Sequence, residues 1–469
     1  MKKEENIRQK VKTEPKTASA AVGCAERVGP DVGGVEMNRE EERVGAEEVA
    51  GSENRGWPRR FNVVMLSFSS NLLSYMDRIN ISVVAPVMMV EFGWGPATMG
   101  MVLSSFFWGY TALQLPGGWL ADRYGGKRVL GVGVAWWSLF TILTPLARTL
   151  PMMFTVRSLM GMGEGVNIPS IHSLLSRWVP AHERSRAVAF TISGIFMGMV
   201  LALPTSVWIM TALGWPFVFY IFGSLGMIWC ILWYFLVSDR PETHRSISTH
   251  ELQYIQSGSA PAPQVTHTPW RDIFSRAPVW ALIIVHFCNN WGFYIFLAWM
   301  PTYMVQVHGF SLKEMGFYSM IPYLSMVVGG NASAWLADDL LRRGMDRTFL
   351  RKAFQSVAFM GAAFFLVLLA RVQTPTAALV YMTCALGINA IGGSGFGVNA
   401  LDIGPRYAGI IMGLENTSGN LAGIFTPALT GFILAATGRW DLVFYLAAAI
   451  FIIGTVVWNV FSTGEQILE

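Results

Sequence analysis

Charged residues lie inside stretches that are otherwise long and apolar. Arg78 stands in the run Tyr75-Met76-Asp77-Arg78-Ile79-Asn80, and Arg157 and Glu164 stand in a later apolar run, seven residues apart. A charged side chain at the centre of a membrane helix costs about 2.5–3.5 kcal/mol on insertion scales, so each one needs a partner, a wet cavity or a ligand. Seven residues make two helical turns, so Arg157 and Glu164 share one helix face.

The two arginines have the chemistry of an anion site. A guanidinium group makes forked hydrogen bonds to a carboxylate or a phosphate. We therefore predict that Arg78 and Arg157 bind a small inorganic or organic anion. The alternative is that Arg157 and Asp77 make structural pairs with neighbouring helices.

Three titratable residues are candidates for coupling the anion to H⁺ or Na⁺. Glu164 and His172 follow Arg157 on the same run, and Glu415 lies in a much later one. His286 is interpreted instead as a hydrogen-bonded packing residue. Amide side chains are further candidates to line the path: Asn289, Asn290, Asn389, Asn416 and Asn420.

A turn that follows the second apolar run is repeated in the second part of the chain. Trp119-Leu120-Ala121-Asp122 precedes a basic cluster, and so does Trp335-Leu336-Ala337-Asp338. Asp122 can pair with Arg128, or sit against a helix N-terminus, and so hold one conformation. We predict a gating role for Asp122, Arg123, Arg128 and Asp338, and two similar halves.

The elements that must position these residues are membrane helices. A span needs about 20 mostly apolar residues, and six such runs precede a polar stretch while six follow it. The predicted fold is an all-α membrane protein with twelve transmembrane helices in two six-helix bundles. The predicted parts are a disordered tail (1–60), a bundle (61–237), a polar linker (238–276), a bundle (277–461) and a short tail (462–469).

Composition and charge agree with a membrane protein. The 469 residues are 53% hydrophobic and 14% charged, whereas a soluble domain carries about a quarter charged residues. Lys and Arg concentrate in the loops of one side, which places both termini and the linker in the cytoplasm or its equivalent. Two bundles around a central cavity predict transport by alternating access, in a lipid bilayer.

Several function classes find no support in the sequence. The four cysteines, Cys24, Cys230, Cys288 and Cys384, have no metal-ligand spacing. No nucleophile–base set or P-loop is recognisable, so we predict neither an enzyme nor direct use of ATP, and no metal or bound cofactor. The net charge of +4 gives no indication of nucleic-acid binding.

Specific motifs resemble a known family. The loop Gly117–Arg128 resembles the loop motif of the major facilitator superfamily, and further stretches are similar to its anion:cation symporters. These stretches are Ser104–Tyr110, Gly163–Pro169, Trp178–Pro180 with Glu183–Arg186, and Asp402–Gly409. Within the family the chain looks most like the plant phosphate transporter 4 group, through Pro278–Leu282, His286–Gly292, Trp299–Tyr303 and Trp458–Glu465.

The resemblance carries roles to individual residues. Arg78 matches the first-span arginine of the family, Arg157 and Glu164 match the fourth-span pair, and His172 matches a histidine of sialin-like members. Vesicular glutamate transporters have a histidine where this chain has Leu103 and an arginine where it has Asn289, so glutamate loading is disfavoured. Glu415 also departs from the small polar residue expected there.

The resemblance implies transport of inorganic phosphate with H⁺ or Na⁺, by a monomer, in a plastid membrane. Transport of an organic anion, such as ascorbate or a sugar acid, stays open. A membrane sensor that has lost transport is disfavoured, because the buried charges are retained. Five glutamates at 40–42, 47 and 48 are unlike an acid-poor transit peptide, which leaves another endomembrane or the plasma membrane open.

Overall fold

The computed structural model describes residues 57–257 and 268–468. Seventeen α-helices occur in these ranges. In the first half they are α1 (Arg59–Phe92), α2 (Pro96–Tyr124), α3 (Gly126–Leu143), α4 (Leu150–Gly165), α5 (Asn167–Trp178), α6 (Ala181–Leu213) and α7 (Pro216–Leu236). In the linker they are α8 (Thr249–Ser257) and α9 (Trp270–Ser275). In the second half they are α10 (Ala277–Gln306), α11 (Leu312–Tyr318), α12 (Met320–Arg342), α13 (Arg347–Leu369), α14 (Pro375–Asn389), α15 (Asn399–Ile403), α16 (Ala408–Thr437) and α17 (Trp440–Phe461).

These helices form twelve spans, six in each half, so the predicted fold class is confirmed. We call the spans from α1 to α7 the N-half and those from α10 to α17 the C-half. Two spans are broken rather than continuous. The fourth passes from α4 to α5 at Val166, and the tenth passes from α14 through a 3₁₀ turn (Ala390–Ser394) to α15.

Eight helical segments of the described residues are long and apolar enough to cross a membrane by themselves. Three of them lie in the N-half and five in the C-half. The four spans that do not meet this condition of length and apolarity are α1, α2, the broken α4–α5 span and α12. Since α1 and α4 carry Arg78, Arg157 and Glu164, the polar spans are the ones that hold the predicted site.

The two halves meet on the side opposite the basic loops. Near the start of α2, Gly100 lies against Pro427 and Gly431 of α16, where a Cβ would overlap the opposing backbone. Gly316 of α11 is similarly close to Val207 of α6. At the basic end, the ion pairs named here do not join the two halves: Arg177 pairs with Asp239 of the linker at 2.8 Å, and Arg351 pairs with Asp402 within the C-half at 2.7 Å. This arrangement is expected of an alternating-access transporter closed at the end opposite the basic loops.

The polar segments are more ordered than the sequence predicts. Arg59 and Arg60, assigned to the first tail, already belong to α1, and the rest of that tail up to residue 56 lies outside the described residues. Glu251 of linker helix α8 accepts hydrogen bonds from the main-chain N–H groups of Arg59 and Arg60, both at 3.0 Å. The final segment is docked as well, because the main-chain N–H groups of Ile467 and Leu468 donate to the carbonyl of Ile403.

Candidate functional site

An ion pair buried between the first and fourth spans forms the centre of the site. Arg78 Nη2 donates to Glu164 Oε2 at 2.9 Å, and Ser74 Oγ donates to the same oxygen at 2.7 Å. The exposed fraction is 5% for the Arg78 side chain and 0% for that of Glu164. Neither Arg78 Nε nor Glu164 Oε1 has a hydrogen-bond partner among the described residues. The pair therefore keeps unused donor and acceptor atoms in a buried place.

Three aromatic rings surround the Arg78 guanidinium. Its Cζ lies 4.5 Å from the ring centre of Tyr75, 4.8 Å from that of Phe106 and 4.7 Å from that of Tyr110. A cation over an aromatic face is stabilised by about 0.5–2 kcal/mol, most when water is excluded. The rings stabilise the charge of Arg78 without forming hydrogen bonds to it, so its donors remain available to a carboxylate or to an anion.

Two glycines of α4 explain why the rings reach Arg78. A Cβ on Gly161 would overlap the carbonyl oxygen of Phe106, and a Cβ on Gly165 would come too close to the carbonyl oxygen of Tyr110. The pair Gly161–Gly165 therefore lets α4 press directly on the turn of α2 that carries two of the rings. The tight packing that the sequence predicts near this motif thus shapes the site.

Arg157 occupies a second buried position beside the same ring. Its side chain is 1% exposed and its Cζ lies 5.5 Å from the ring centre of Phe106. Its Nη1 contacts the sulfur of Met160 at 3.0 Å, and its Nε has no hydrogen-bond partner among the described residues. Phe106 thus packs against both arginines, which brings together the two residues predicted to bind the anion.

Asp77 adds a second carboxylate, which the sequence analysis considered only as a structural partner. Its side chain is 1% exposed, and neither carboxylate oxygen has a hydrogen-bond partner among the described residues. Arg157 and Glu164 both interact electrostatically with it, and the Trp137 indole lies beside it. Asp77, Arg78, Arg157 and Glu164 are therefore two acidic and two basic groups in one buried cluster, with only Arg78 and Glu164 joined by a hydrogen bond.

A buried amide network holds the break of the fourth span. Asn167, the first residue of α5, donates to Asn71 Oδ1 of α1 at 3.0 Å and accepts from Ser70 Oγ at 2.7 Å. Asn71 in turn donates to the carbonyl of Thr191 in α6 at 2.8 Å. Because these bonds tie α1, α5 and α6 together one turn from Glu164, they fix the end of α4 that carries the carboxylate.

The other predicted site residues are placed away from this cluster. His172 lies on α5, is exposed, and makes no hydrogen bond or ion pair with Arg78, Asp77 or Glu164 among the described residues. Glu415 lies in the C-half, where its Oε2 is 3.9 Å from His286 Nδ1. His286, interpreted from the sequence as a hydrogen-bonded packing residue, packs on Phe396, and its Nδ1 faces this carboxylate without a geometric hydrogen-bond partner among the described residues.

The gating residues make other contacts than the predicted ones in this conformation. Asp122 Oδ1 accepts a hydrogen bond from Ser173 Oγ at 3.3 Å, while Arg123 and Arg128 are exposed. In the repeated turn, the carbonyl of Asp338 accepts from Arg342 Nε at 3.2 Å, and the neighbouring Asp339 makes the ion pair, with Arg343 at 2.7 Å. The gating role stays a prediction.

Sequence reasoning missed the aromatic rings. Their signal was present: Tyr75 precedes Arg78 by three residues on one helix face, and Phe106 and Tyr110 are spaced by four on another. What the sequence could not supply is the pairing of these two faces, which depends on the packing of α2 against α1 and α4.

Comparison with known proteins agrees with this architecture. A family model described as Major Facilitator Superfamily matches residues 67–425. The chain is 49% identical over 415 residues to the protein of Arabidopsis thaliana named "Ascorbate transporter, chloroplastic", covering 88% of this chain and 76% of that one. It is 47% identical over 415 residues to "Sodium-dependent phosphate transport protein 1, chloroplastic" of the same organism, covering 88% and 81%.

A solved structure shows the same fold at low sequence identity. The crystal structure of a D-xylose–proton symporter aligns with a TM-score of 0.69 at 16% identity, covering 87% of this chain and 99% of that one. The predicted resemblance is therefore confirmed by the family model, by the relatives and by the fold. The chain is an integral membrane transporter of the Major Facilitator Superfamily and belongs to its anion:cation symporter family.

Proposed function

We propose that the chain carries inorganic phosphate by alternating access, coupled to Na⁺ or H⁺. The observation that carries this proposal is the buried Arg78–Glu164 pair, whose guanidinium keeps an unpaired Nε. A phosphate has several acceptor oxygens and can bind a guanidinium through a forked pair of hydrogen bonds. Arg157, beside the same aromatic ring, supplies a second cation for a doubly charged form of phosphate.

The coupling follows because Glu164 and the transported anion compete for the Arg78 guanidinium. While Glu164 is ionised, its carboxylate occupies Arg78 at 2.9 Å. A proton on Glu164 removes that negative charge, so Arg78 becomes free to bind the anion. A singly charged anion then restores the net charge of the buried cluster, whereas a doubly charged one needs a second cation. Asp77, with two unpaired oxygens beside Arg157, has the chemistry to hold a second proton or a Na⁺ in the same way. His172 and Glu415 remain candidates for coupling outside this cluster.

The names of two relatives support two candidate anions but do not decide between them. The relative named for sodium-dependent phosphate transport supports phosphate, and the relative named for ascorbate transport supports an organic anion as the second candidate. Both anions carry acceptor oxygens that suit Arg78, so the arginines do not separate them. Both relatives are named chloroplastic, which supports a plastid membrane as the location of this chain. We also propose that the transporting unit is the monomer, since each chain contains both halves.

Uptake into proteoliposomes of the purified chain tests the proposal. Labelled phosphate, ascorbate and glutamate are offered separately, with a Na⁺ gradient or an H⁺ gradient imposed alone. We expect phosphate to accumulate with one of the two gradients and unlabelled phosphate to compete. Accumulation of ascorbate that phosphate does not inhibit would replace phosphate by the second candidate.

Matched variants link the uptake to the site. Arg78→Ala, Arg157→Ala and Glu164→Gln are compared with Arg148→Ala, which breaks a surface pair with Glu91 whose side chains are 62% and 42% exposed. We expect the three buried variants to lose uptake and the surface variant to keep it, at equal amounts of reconstituted protein. Normal transport by all three buried variants would remove the assignment, and uptake of no anion by the native chain would favour a membrane sensor.

A further inference from the structure

A carboxylate and an imidazole face each other between two spans of the C-half. Glu415 on α16 and His286 on α10 approach to 3.9 Å, measured between Oε2 and Nδ1. Glu415 is 3% exposed, so its charge is far from water. Neither Oε2 nor Nδ1 has a hydrogen-bond partner among the described residues. A buried carboxylate with an unpaired oxygen is costly unless a cation or a proton joins it.

The close approach is built into the backbone of α16. Gly419 lies one turn after Glu415, and a Cβ there would overlap the His286 ring and the side-chain amide of Asn290. The ring also packs on Phe396, with ring centroids 5.2 Å apart and an interplanar angle of 72°. The imidazole of His286 thus packs against both Gly419 and Phe396, and these contacts position it to face the Glu415 carboxylate.

Neutral amides extend from this pair toward the tenth span. Asn389 Nδ2 donates to Asn289 Oδ1 at 3.0 Å, and Asn289 Nδ2 donates to Asn290 Oδ1 at 3.3 Å. Asn290 lies against Gly419, as His286 does. Amides accept and donate hydrogen bonds but carry no charge. They stabilise a polar site without neutralising Glu415.

The charged and titratable groups on the neighbouring elements are engaged elsewhere. On α1, Arg78 pairs with Glu164, and Tyr110 of α2 lies over the Arg78 guanidinium. Further groups have partners of their own: Tyr294 of α10 donates to Asn420, Arg351 of α13 pairs with Asp402 of α15, and Arg406 lies over the ring of Tyr407. His286 is therefore the titratable group that faces Glu415.

We propose that His286 and Glu415 form a proton-binding site in the C-half, separate from the Arg78–Glu164 pair. One proton, taken from water, binds either to the imidazole or to the carboxylate. It then lies between Nδ1 and Oε2 and lets the two atoms close into a hydrogen bond. When the proton is released, Nδ1 and Oε2 again lack a hydrogen-bond partner. No bond other than the N–H or O–H bond is made or broken.

The site acts on the anion through charge, and this step rests on the proposed function. An anion entering between the halves adds a negative charge to a region of low dielectric constant, where an ionised Glu415 opposes it. A proton on the pair removes this opposition. The apparent affinity for the anion therefore rises when the pair is protonated, and the site makes uptake sensitive to pH.

Infrared difference spectroscopy of the purified full chain tests the site without any transported anion. Spectra are recorded as the pH is changed between about 5 and 8, the range in which histidine titrates. We expect a protonated-carboxyl or imidazole band that changes in the native chain and is lost in both Glu415→Gln and His286→Gln. Asp272→Asn, an exposed acid-to-amide change in linker helix α9, serves as the control and keeps the band.

Uptake in proteoliposomes then connects the site to transport. The KM for phosphate and for ascorbate is measured across the same pH range. We expect the KM of the native chain to rise about tenfold per pH unit on the alkaline side. In Glu415→Gln this dependence is weakened, while anion exchange continues. If Glu415→Gln is poorly folded by thermal unfolding, His286→Gln provides the same comparison.

The outcomes separate this site from the proposed function. Unchanged bands and an unchanged pH dependence in both folded variants overturn the proton site, even if phosphate uptake is normal. A Na⁺ dependence of the native chain that is lost in Glu415→Gln, with the pH dependence unchanged, also overturns it, because the carboxylate then binds a metal ion. Loss of the bands in the variants of a chain that carries neither phosphate nor ascorbate supports the site and contradicts the anion proposal.

Discussion

The N-half and the C-half share six spans each but differ in the chemistry of their buried side chains. The N-half holds Asp77, Arg78, Arg157 and Glu164 away from its ends, and three of its spans reach the apolarity of an independent membrane helix. The C-half has five such spans, and its spans carry amides and one carboxylate–imidazole pair. Similar folds thus carry unequal charge, and the strongest binding of an anion is expected from the N-half.

One side chain in the contact between the halves connects these two chemistries. Asn420 of α16 donates to Gln114 Oε1 of α2 at 2.6 Å and accepts from Tyr294 of α10 at 3.1 Å. The ring of Tyr294 packs on Phe107, with centroids 4.5 Å apart, beside the aromatic residues around Arg78. A change at Arg78 can therefore reach the contact between the halves through packed side chains, as alternating access requires.

The largest effect should follow from changing the geometry of the N-half cation. Arg78→Lys keeps the charge but removes the planar fork, so we expect kcat/KM for anion uptake to fall about 100-fold. Asn389→Ala in the C-half removes one amide hydrogen bond of 3.0 Å and should reduce uptake by about threefold. Proteoliposome uptake at equal protein content measures both. A greater loss of uptake in Asn389→Ala than in Arg78→Lys would contradict the expectation that the N-half binds the anion more strongly than the C-half.

The next effect separates binding from coupling within the N-half. Glu164→Gln removes the carboxylate that competes for Arg78 and keeps a neutral group of the same size. We expect gradient-driven accumulation to fall about tenfold or more, while exchange of labelled for unlabelled anion is retained. Entrance counterflow measures the exchange. If accumulation and exchange fall together, Glu164 serves mainly to bind or fold, and the coupling is located elsewhere.

The sequence predicted the framework better than the site, for physical reasons. Apolar length is a property of one segment, and the predicted end of the second bundle at residue 461 agrees with the last residue of α17. Arg78, Arg157 and Glu164 were recognisable because a charge in an apolar run is costly wherever its partner lies. The partner itself depends on packing between helices, so neither the Arg78–Glu164 bond nor the aromatic rings followed from spacing. The Asp122 contact with Ser173 depends in addition on which conformation is populated.

A smaller effect tests the packing that creates the aromatic site. Gly161→Ala places a methyl group against the carbonyl oxygen of Phe106, and overpacking of this kind costs about 1–3 kcal/mol. Gly118→Ala is the matched control on α2, because the nearest atom to its Cβ is 4.0 Å away, on Pro169. We expect Gly161→Ala to lower the unfolding temperature in detergent and to raise the KM for the anion, with Gly118→Ala unchanged. Equal behaviour of the two variants would contradict the role of the glycine.

Removing the hydrogen bond between Gln114 and Asn420, which joins the two halves, should change the affinity for the anion still less. It should clearly change the populations of the conformations. Gln114→Leu removes the acceptor of Asn420 Nδ2 and so weakens the closed contact by about 1 kcal/mol, or roughly fivefold in its equilibrium. Because the closed end lies opposite the basic loops, the population open to that side should grow. Distance measurements between spin labels on the two halves report this change. An unaltered distance distribution would show that the hydrogen bond does not hold the contact.

The smallest effect is expected from a change in linker helix α8, which should stabilise the N-half but not the C-half. Glu251 accepts from two main-chain N–H groups at the start of α1, where a helix leaves its donors unpaired and a negative charge is favourable. Glu251→Gln keeps one acceptor but removes the charge, so we expect a loss of about 0.5–1 kcal/mol in the free energy of unfolding. Glu242→Gln, an exposed linker carboxylate that accepts from Gln256, is the control. Hydrogen exchange should rise at the first turn of α1 in Glu251→Gln and stay constant in the C-half, since α8 makes its described contacts with the N-half. Faster exchange in both halves would mean that the linker stabilises the whole chain.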